Sequence, residues 1–325
     1  MDFLEVIAKF KTKKIIIIGD LMLDKFIWGD VNRVSPEFPV PIVDVCKETY
    51  ALGGACNVSS NIRNLGSSVF LAGVTGDDAD GAKLLELLKD NGIATDGVFK
   101  DPSRPTTKKA RVYADERQIA RIDFEKTSFI PNDVEKKIID YVKAKMVMCD
   151  AVIFSDYAKG AVTKDIIATV MEIAKKQGMQ VFVDSKSDLL FSYKGIECMA
   201  PNKKEASEVL EMEIKTKKDL HTAGKMLLEK LNAASILITL GEDGMVLFQE
   251  GKVPFAIPAI LEHAVDITGA GDTVMAAFSL SRVSGANLRD SAVISNIAAS
   301  IAVSESGIHP INITELREAI ANVKG

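Results

Sequence analysis

Short runs of aliphatic and β-branched residues alternate along this chain with segments whose apolar positions recur every three to four residues. "KKIIIIGD" (13–20) predicts a strand buried on both faces, and "GGACNVSSNIRNLG" (53–66) predicts a helix bounded by glycines. "SVFLAGVTG" (68–76) reads as a second strand, followed by the helix "DADGAKLLELLKDNG" (78–92) with its glycine stop. Farther on, "CDAVIFSD", "MQVFVDS", "IECMAPN" and "ASILITL" are strand-like, each separated by helix-type sequence. Strands alternating with helices predict an α/β fold with a mainly parallel sheet and helices on both faces. Ligands in such sheets sit beyond the carboxyl ends of the strands.

Two stretches break the rhythm. "DKFIWGDVNRVSPEFPVPIVDVCKETYALGG" spreads Pro36, Pro39 and Pro41 over too short a span for a helix. "TKKARVYADERQIARIDFEK" alternates in its second half, with Ala120, Ile122 and Phe124 on one face and Arg121, Asp123 and Glu125 on the other. The two segments are expected to pair into a small β lid over the site; a peripheral flap is the plainer alternative. The expected organisation is one domain, residues 1–325. Its lid, about 25–50 and 104–127, covers a core of 1–24, 51–103 and 128–325.

Composition narrows the function classes. The chain of 325 residues carries a formal charge of −5, which gives no basic surface for nucleic acid. Any anionic ligand must therefore be held by a local cluster of cations. Cys46, Cys56, Cys149 and Cys198 lie far apart without a C-x-x-C pair, as suits reduced thiols. The start, "MDFLEVIAKFKTKK", lacks a signal peptide's apolar core, and no apolar run reaches membrane-spanning length. A cytoplasmic protein with neither a nucleic-acid nor a membrane partner is expected.

The chemistry concentrates in "DITGAGDTV" (266–274). Apolar residues continue beyond it to Gly285, so Gly269, Ala270 and Gly271 should open a helix whose N–H groups face an anion. A bare carboxylate there, Asp272, should repel a resident phosphate. The conflict disappears if the turn holds a phosphoryl group in transfer while Asp272 accepts the proton of the attacking hydroxyl. An acid that merely complements the helix dipole is the simpler alternative. The P-loop pattern G-x-x-x-x-G-K-[ST] does not occur, and G-x-G-x-x-G is missing after the first strand, which disfavours a dinucleotide-dependent oxidoreductase.

"DITGAGDTV" resembles the signature of the ribokinase/phosphofructokinase-B family of sugar kinases. "IIIIGDLMLD", "ALGGACNVSSNIRNLG", "SDYAKGAV", "APNKKEASEV" and "TLGEDGM" follow in that family's order and extend the resemblance over essentially the whole chain. It implies a ribokinase-like three-layer α/β/α fold, ATP and Mg2+, and a homodimer formed through the lid. Asp272 matches the family's catalytic base, and Gly269, Ala270 and Gly271 its anion hole. Asp20, Asp24, Gly53, Gly54 and Asn57 match sugar-contacting positions. Asn202 and Glu205 match the N-x-x-E element, with Glu205 serving Mg2+ through water, although Asn and Glu at this spacing also make a capping box. Thr239, Gly241, Gly244 and Asn296 fall on the nucleotide side, where Gly244 also suits a turn. Asp266 and Thr268 match positions that bind a monovalent cation in some relatives.

Within the family, "RVSPEFPVPIVDV" and "RQIARIDFE" look most like the branch that phosphorylates the C1 hydroxyl of D-glycero-D-manno-heptose 7-phosphate, a lipopolysaccharide-core precursor. Lys109, Arg111, Arg121 and Lys159 are the candidate cations for that substrate's own phosphate. The chain ends at "EAIANVKG" without room for the adenylyltransferase domain that the heptose kinase often carries, so a stand-alone kinase is expected. "VDSKSD" and "TLGEDGM" differ in detail from close relatives. Two other readings remain at this point: a kinase of the same fold for ribose, fructose or a ketohexose phosphate, and a sugar- or nucleotide-binding regulator without catalysis.

Overall fold

The computed structural model describes residues 2–114, 117–261, 264–305 and 307–323. Its strands are β1 (Lys14–Gly19), β2 (Leu21–Val34), β3 (Pro41–Gly54), β4 (Ser68–Thr75), β5 (Val98–Lys100), β6 (Lys108–Ala114), β7 (Arg117–Phe124), β8 (Ala151–Asp156), β9 (Gln180–Ser185), β10 (Cys198–Met199), β11 (Ser235–Thr239), β12 (Met245–Phe248) and β13 (Phe255–Ile257). Nine of them form one sheet in the order β13-β12-β11-β10-β9-β8-β1-β4-β5. From β11 to β5 every pairing is parallel; β12 turns back antiparallel at one edge.

The isoleucine run explains why the sheet has two covered faces. Successive side chains of a strand point to opposite sides, so Ile15 and Ile17 enter one core and Ile16 and Ile18 the other, all fully buried. Burying each contributes about 2 kcal/mol of transfer free energy. Helices Ala55–Asn64, Ala79–Asp90, Ala270–Val283, Leu288–Ala302 and Ile313–Val323 cover the first face. Asn132–Met146, Lys164–Gln177, Lys203–Leu210 and Lys217–Leu231 cover the second. The result is a three-layer α/β/α arrangement. Among the described residues no helix is long and apolar enough to cross a membrane.

A separate four-stranded sheet, β3-β2-β6-β7, is built from the two segments that break the helix–strand rhythm. β2 and β6 run parallel, and each is flanked by an antiparallel neighbour. The prolines fall at the β2–β3 turn or at the first residue of β3, where no central ladder bond is lost. The sequence put the edges of the first segment at about 25 and 50. The β2–β3 ladder continues inward to the pair Leu21–Gly54, so Asp24 and Gly53 belong to the small sheet rather than to the core. Asp115 and Glu116, at the tip of the second segment, lie outside the described residues.

Candidate active site

Parallel pairing sets the carboxyl ends of β1, β8, β9, β10 and β11 along one edge of the large sheet. The residues that follow these strands border a cavity of about 680 Å³, which the root of the small sheet closes on another side. Helix Ala270–Val283 starts at this cavity. Its Gly269 cap adopts φ 83°, a left-handed geometry, and a Cβ there would stand 2.6 Å from Asn57 Nδ2, so glycine fits on both counts. From Asp272 to Ser281 the helix is buried continuously, which fixes the acid against the core.

Asp272 is 4% exposed. Its Oδ2 accepts a hydrogen bond from Asn57 Nδ2 at 2.7 Å, and its Oδ1 accepts one from the Tyr157 hydroxyl at 2.8 Å. Burial pushes its pKa up to about 6, against the opposing pull of these two donors and of Lys186. That is a suitable range for a general base near neutral pH. The Ala270 N–H already donates to Ile267 O at 3.2 Å. Among the described residues, the backbone donors left without a partner at the helix start are therefore those of Gly269, Gly271 and Asp272, so that of the expected Gly269–Gly271 nest only the Ala270 N–H is engaged.

On the small-sheet side, Asp24 sits beside Lys109 in the β2–β6 register and forms an ion pair with Arg111, all three lining the cavity. Gly53 and Gly54 line it as well. A Cβ on Gly53 would collide with the Asp24 carboxylate, which is the reason for glycine there. Burial lowers the pKa of the Lys109 ammonium; Asp24 opposes this, and Lys186, Arg111 and Lys159 act in the same direction as burial.

On the opposite side, Asn202, Glu205, Thr239, Gly241, Gly244 and Asn296 all line the cavity. Asn202 and Glu205 form a complete capping box, each side chain meeting the other's backbone N–H at 2.9 Å. Glu205 keeps its second oxygen on Lys186 Nζ at 3.1 Å. Gly244 turns the chain tightly against Ile257 and Ala259. Asn296 has its partner in the Pro258 carbonyl at 2.9 Å. Asp266 spends both oxygens on backbone N–H groups, of Thr268 at 2.8 Å and Gly307 at 3.0 Å.

Four residues nominated from the sequence, Asp20, Asn57, Arg121 and Lys159, do not line the cavity. Asp20 is 2% exposed and takes the N–H groups of Tyr157, Lys159 and Ala161 at 2.8, 3.0 and 3.1 Å. These three bonds fasten the loop after β8. Lys159 pairs with Glu125 at 2.8 Å, and the preceding Ala158 adopts φ 58°. Arg121 lies on the edge strand β7, half exposed, and chelates Asp123 through two bonds of 2.9 and 3.0 Å. Asn57 is buried behind Asp272 rather than at the cavity wall.

The sequence reading also passed over Tyr157, Asp184 and Lys186, which line the cavity close to Asp272. All follow directly on, or end, a parallel strand. Tyr157 lies in "SDYAKG", two residues before the lysine, and the other two lie in "VDSKSD". Asp184 is 8% exposed, and burial pushes it up to about 7 despite the neighbouring Lys186. The available signal was position, just at the carboxyl end of a predicted strand.

The fold is shared with solved sugar kinases. Phosphofructokinase-2 from Escherichia coli, solved in complex with substrates and products, superposes with a TM-score of 0.79 at 19% identity, over 96% of this chain and all of that one. Arabidopsis thaliana ribokinase, solved with ribose and ATP, gives 0.74 at 22% identity over 95% of this chain and 98% of that one. In sequence, the bifunctional protein HldE of Desulfatibacillum aliphaticivorans is 40% identical over 96% of this chain and 64% of its own length. HldE of Wolinella succinogenes is 40% identical over 90% of this chain and 61% of its own. The chain thus spans somewhat under two thirds of these relatives. Residues 12–314 match the pfkB carbohydrate kinase family, and with this coverage the chain belongs to the pfkB family of carbohydrate kinases.

Proposed function

We propose that this carbohydrate kinase transfers the γ-phosphoryl group of ATP to the C1 hydroxyl of D-glycero-D-manno-heptose 7-phosphate, giving the 1,7-bisphosphate. The observation that carries the reading is the placing of Asp272 beside free N–H groups at a helix start, across one cavity from Asp24, Lys109 and Arg111. Asp24 and the backbone of Gly53 and Gly54 hold the sugar. Lys109 and Arg111 take the distal phosphate, the guanidinium suiting a phosphate better than its present carboxylate partner alone. Asp272 accepts the C1 proton as that oxygen bonds to the γ-phosphorus and the bond to ADP's bridging oxygen breaks. The N–H groups of Gly271 and Asp272 stabilise the charge on the transferring group.

No cluster of three or more metal-ligating side chains occurs among the described residues. The carboxylates present, Glu205 and Asp184, fit a Mg2+ ion that keeps most of its shell from phosphates and water. When bound it would neutralise phosphate charge. The heptose assignment is supported by the lid segments and by the HldE relatives. β7 is exposed along its length, with Ile122 and Phe124 nearly half exposed, and this supports a homodimer formed edge to edge through the small sheet, which then acts as the lid. A cytoplasmic location follows from the same assignment.

The test is ADP release from MgATP with the heptose 7-phosphate, beside ribose, fructose and fructose 6-phosphate, with Asp272→Asn as control. Turnover on the heptose phosphate alone, lost in the control, is expected. Turnover only on another sugar would move the protein to another branch of the family, and silence on all would leave a binding role.

A further inference from the structure

We propose that Tyr157 is a positioning residue for phosphoryl transfer, which holds the Asp272 carboxylate in place and ties the two lysine-bearing sides of the cavity to it. The proposal rests on the kinase reading above and deepens it.

Three contacts meet on this one side chain. Its hydroxyl donates to Asp272 Oδ1 at 2.8 Å. Lys186 Nζ, from the end of β9, stands 4.2 Å from its ring centroid. Lys109 Nζ, from β6 of the small sheet, stands 5.4 Å from the same centroid. Ammonium groups over an aromatic face are attracted by its quadrupole. The ring therefore seats one cation for each phosphate-bearing substrate, while its hydroxyl meets the group between them. With Asn57 on Oδ2 and Tyr157 on Oδ1, the carboxylate cannot rotate freely, yet each oxygen keeps a lone pair for an incoming hydroxyl.

The loop that carries Tyr157 is held by an unusual number of restraints. Asp20 takes three of its N–H groups, and Asp156 takes that of Ala158 at 3.1 Å. Arg104, itself buried and paired with Asp101 at 2.8 Å, donates to the Lys159 carbonyl at 2.8 Å. Between these anchors Ala158 is kept at φ 58°, a conformation that a residue with a Cβ adopts only when its surroundings impose it. Two buried acids and a buried arginine around six residues are more than a connecting loop requires. They fix the place of the one side chain that reaches the base.

No net proton passes through Tyr157. The sugar's proton goes to Asp272, and the phenol remains a donor throughout. Its own proton is held firmly, because burial and the adjacent Asp272 push the phenol well above its ordinary range.

The experiment uses the full chain with Tyr157→Phe, which removes one oxygen and keeps the ring, and Tyr157→Leu, which removes both. The Asp272 titration is read by carbon-13 NMR of carboxyl-labelled aspartate, assigned with Asp272→Asn. The other groups facing Asp272, namely Lys186, Asp24, Asp184 and Cys56, are unchanged in the variants. Loss of a donor to the charged form should raise the Asp272 midpoint by about half to one pH unit in both variants. In ADP-release assays on the heptose phosphate, Tyr157→Phe should lower kcat about 10- to 100-fold and leave both KM values within about twofold. Tyr157→Leu should also raise both KM values, because the seats of both lysines are gone. An unshifted midpoint in Tyr157→Phe, or wild-type kcat, overturns the proposal. Should the wild type turn over none of the sugars, the kinase reading fails by itself, and the NMR midpoint decides the role of Tyr157.

Discussion

Replacing Asp272 by asparagine should abolish turnover and also make the protein more stable, but only at neutral and alkaline pH. The carboxyl group is held at about 6 in the folded chain, against 3.8 when unfolded. Between those values the folded state binds more protons than the unfolded one, so stability falls as pH rises through this window. Above it, the full cost of a buried charge persists. Two units at about 1.4 kcal/mol each give roughly 3 kcal/mol. The amide's oxygen accepts from Asn57 and its NH2 donates to the Tyr157 oxygen, which leaves only the phenol's own hydrogen without its former acceptor. Lys186 loses an attractive charge nearby, which reduces the expected gain to about 1–3 kcal/mol. The assay is urea unfolding of wild type and variant at about pH 8 and about pH 4, with the gain seen at the higher pH and nearly gone at the lower. A variant no more stable than wild type at the higher pH, or equally favoured at both, would refute the reasoning. kcat should fall by at least about 10²-fold.

Other consequences follow from the same geometry. Arg111→Ala should raise KM for a phosphorylated sugar at least about tenfold, whereas Arg121→Ala, whose side chain is half exposed and engaged with Asp123, should leave it within about twofold; steady-state kinetics on both variants decides. The wild-type kcat should decline as pH drops through about 6, because protonated Asp272 cannot accept the sugar's proton, and a rate flat from pH 8 to about 5 would contradict this. Arg104→Met leaves Asp101 buried without its partner and should cost about 3–5 kcal/mol in denaturant unfolding. Gly53→Ala should weaken sugar binding about tenfold or more by displacing Asp24, with ATP's KM unaffected, as a two-substrate KM comparison would reveal.

The relation between sequence and structure is clearest in the paired acids at the end of β1. Asp20 and Asp24 are both carboxylates after the same buried strand, and residue type does not distinguish them. The structure separates them. β2 pairs Asp24 with Lys109 at the cavity wall, while Asp20 remains at the seam between β1 and β8, facing the backbone of residues 157–161. A similar ambiguity affects the cations. Lys109, Arg111 and Arg121 lie on neighbouring strands, but Arg121 is on an edge with solvent beside it and an acid two residues away.

What the sequence determined by itself is whatever depends on neighbours along the chain. Hydrophobic period separates strand from helix, because side chains alternate every second residue in one and every three to four in the other. The small residues at 269–271 ahead of a buried apolar helix place a turn, an anion-facing helix start and an acid together within four residues. Tertiary structure decided what depends on distance through space. Asn57, Tyr157 and Asp272 are up to 215 residues apart in sequence, and they meet only because parallel strands end on the same side of one sheet. The raised pKa of Asp272 has the same origin: desolvation comes from the packing of several elements around one carboxylate, and no local pattern of residues encodes it.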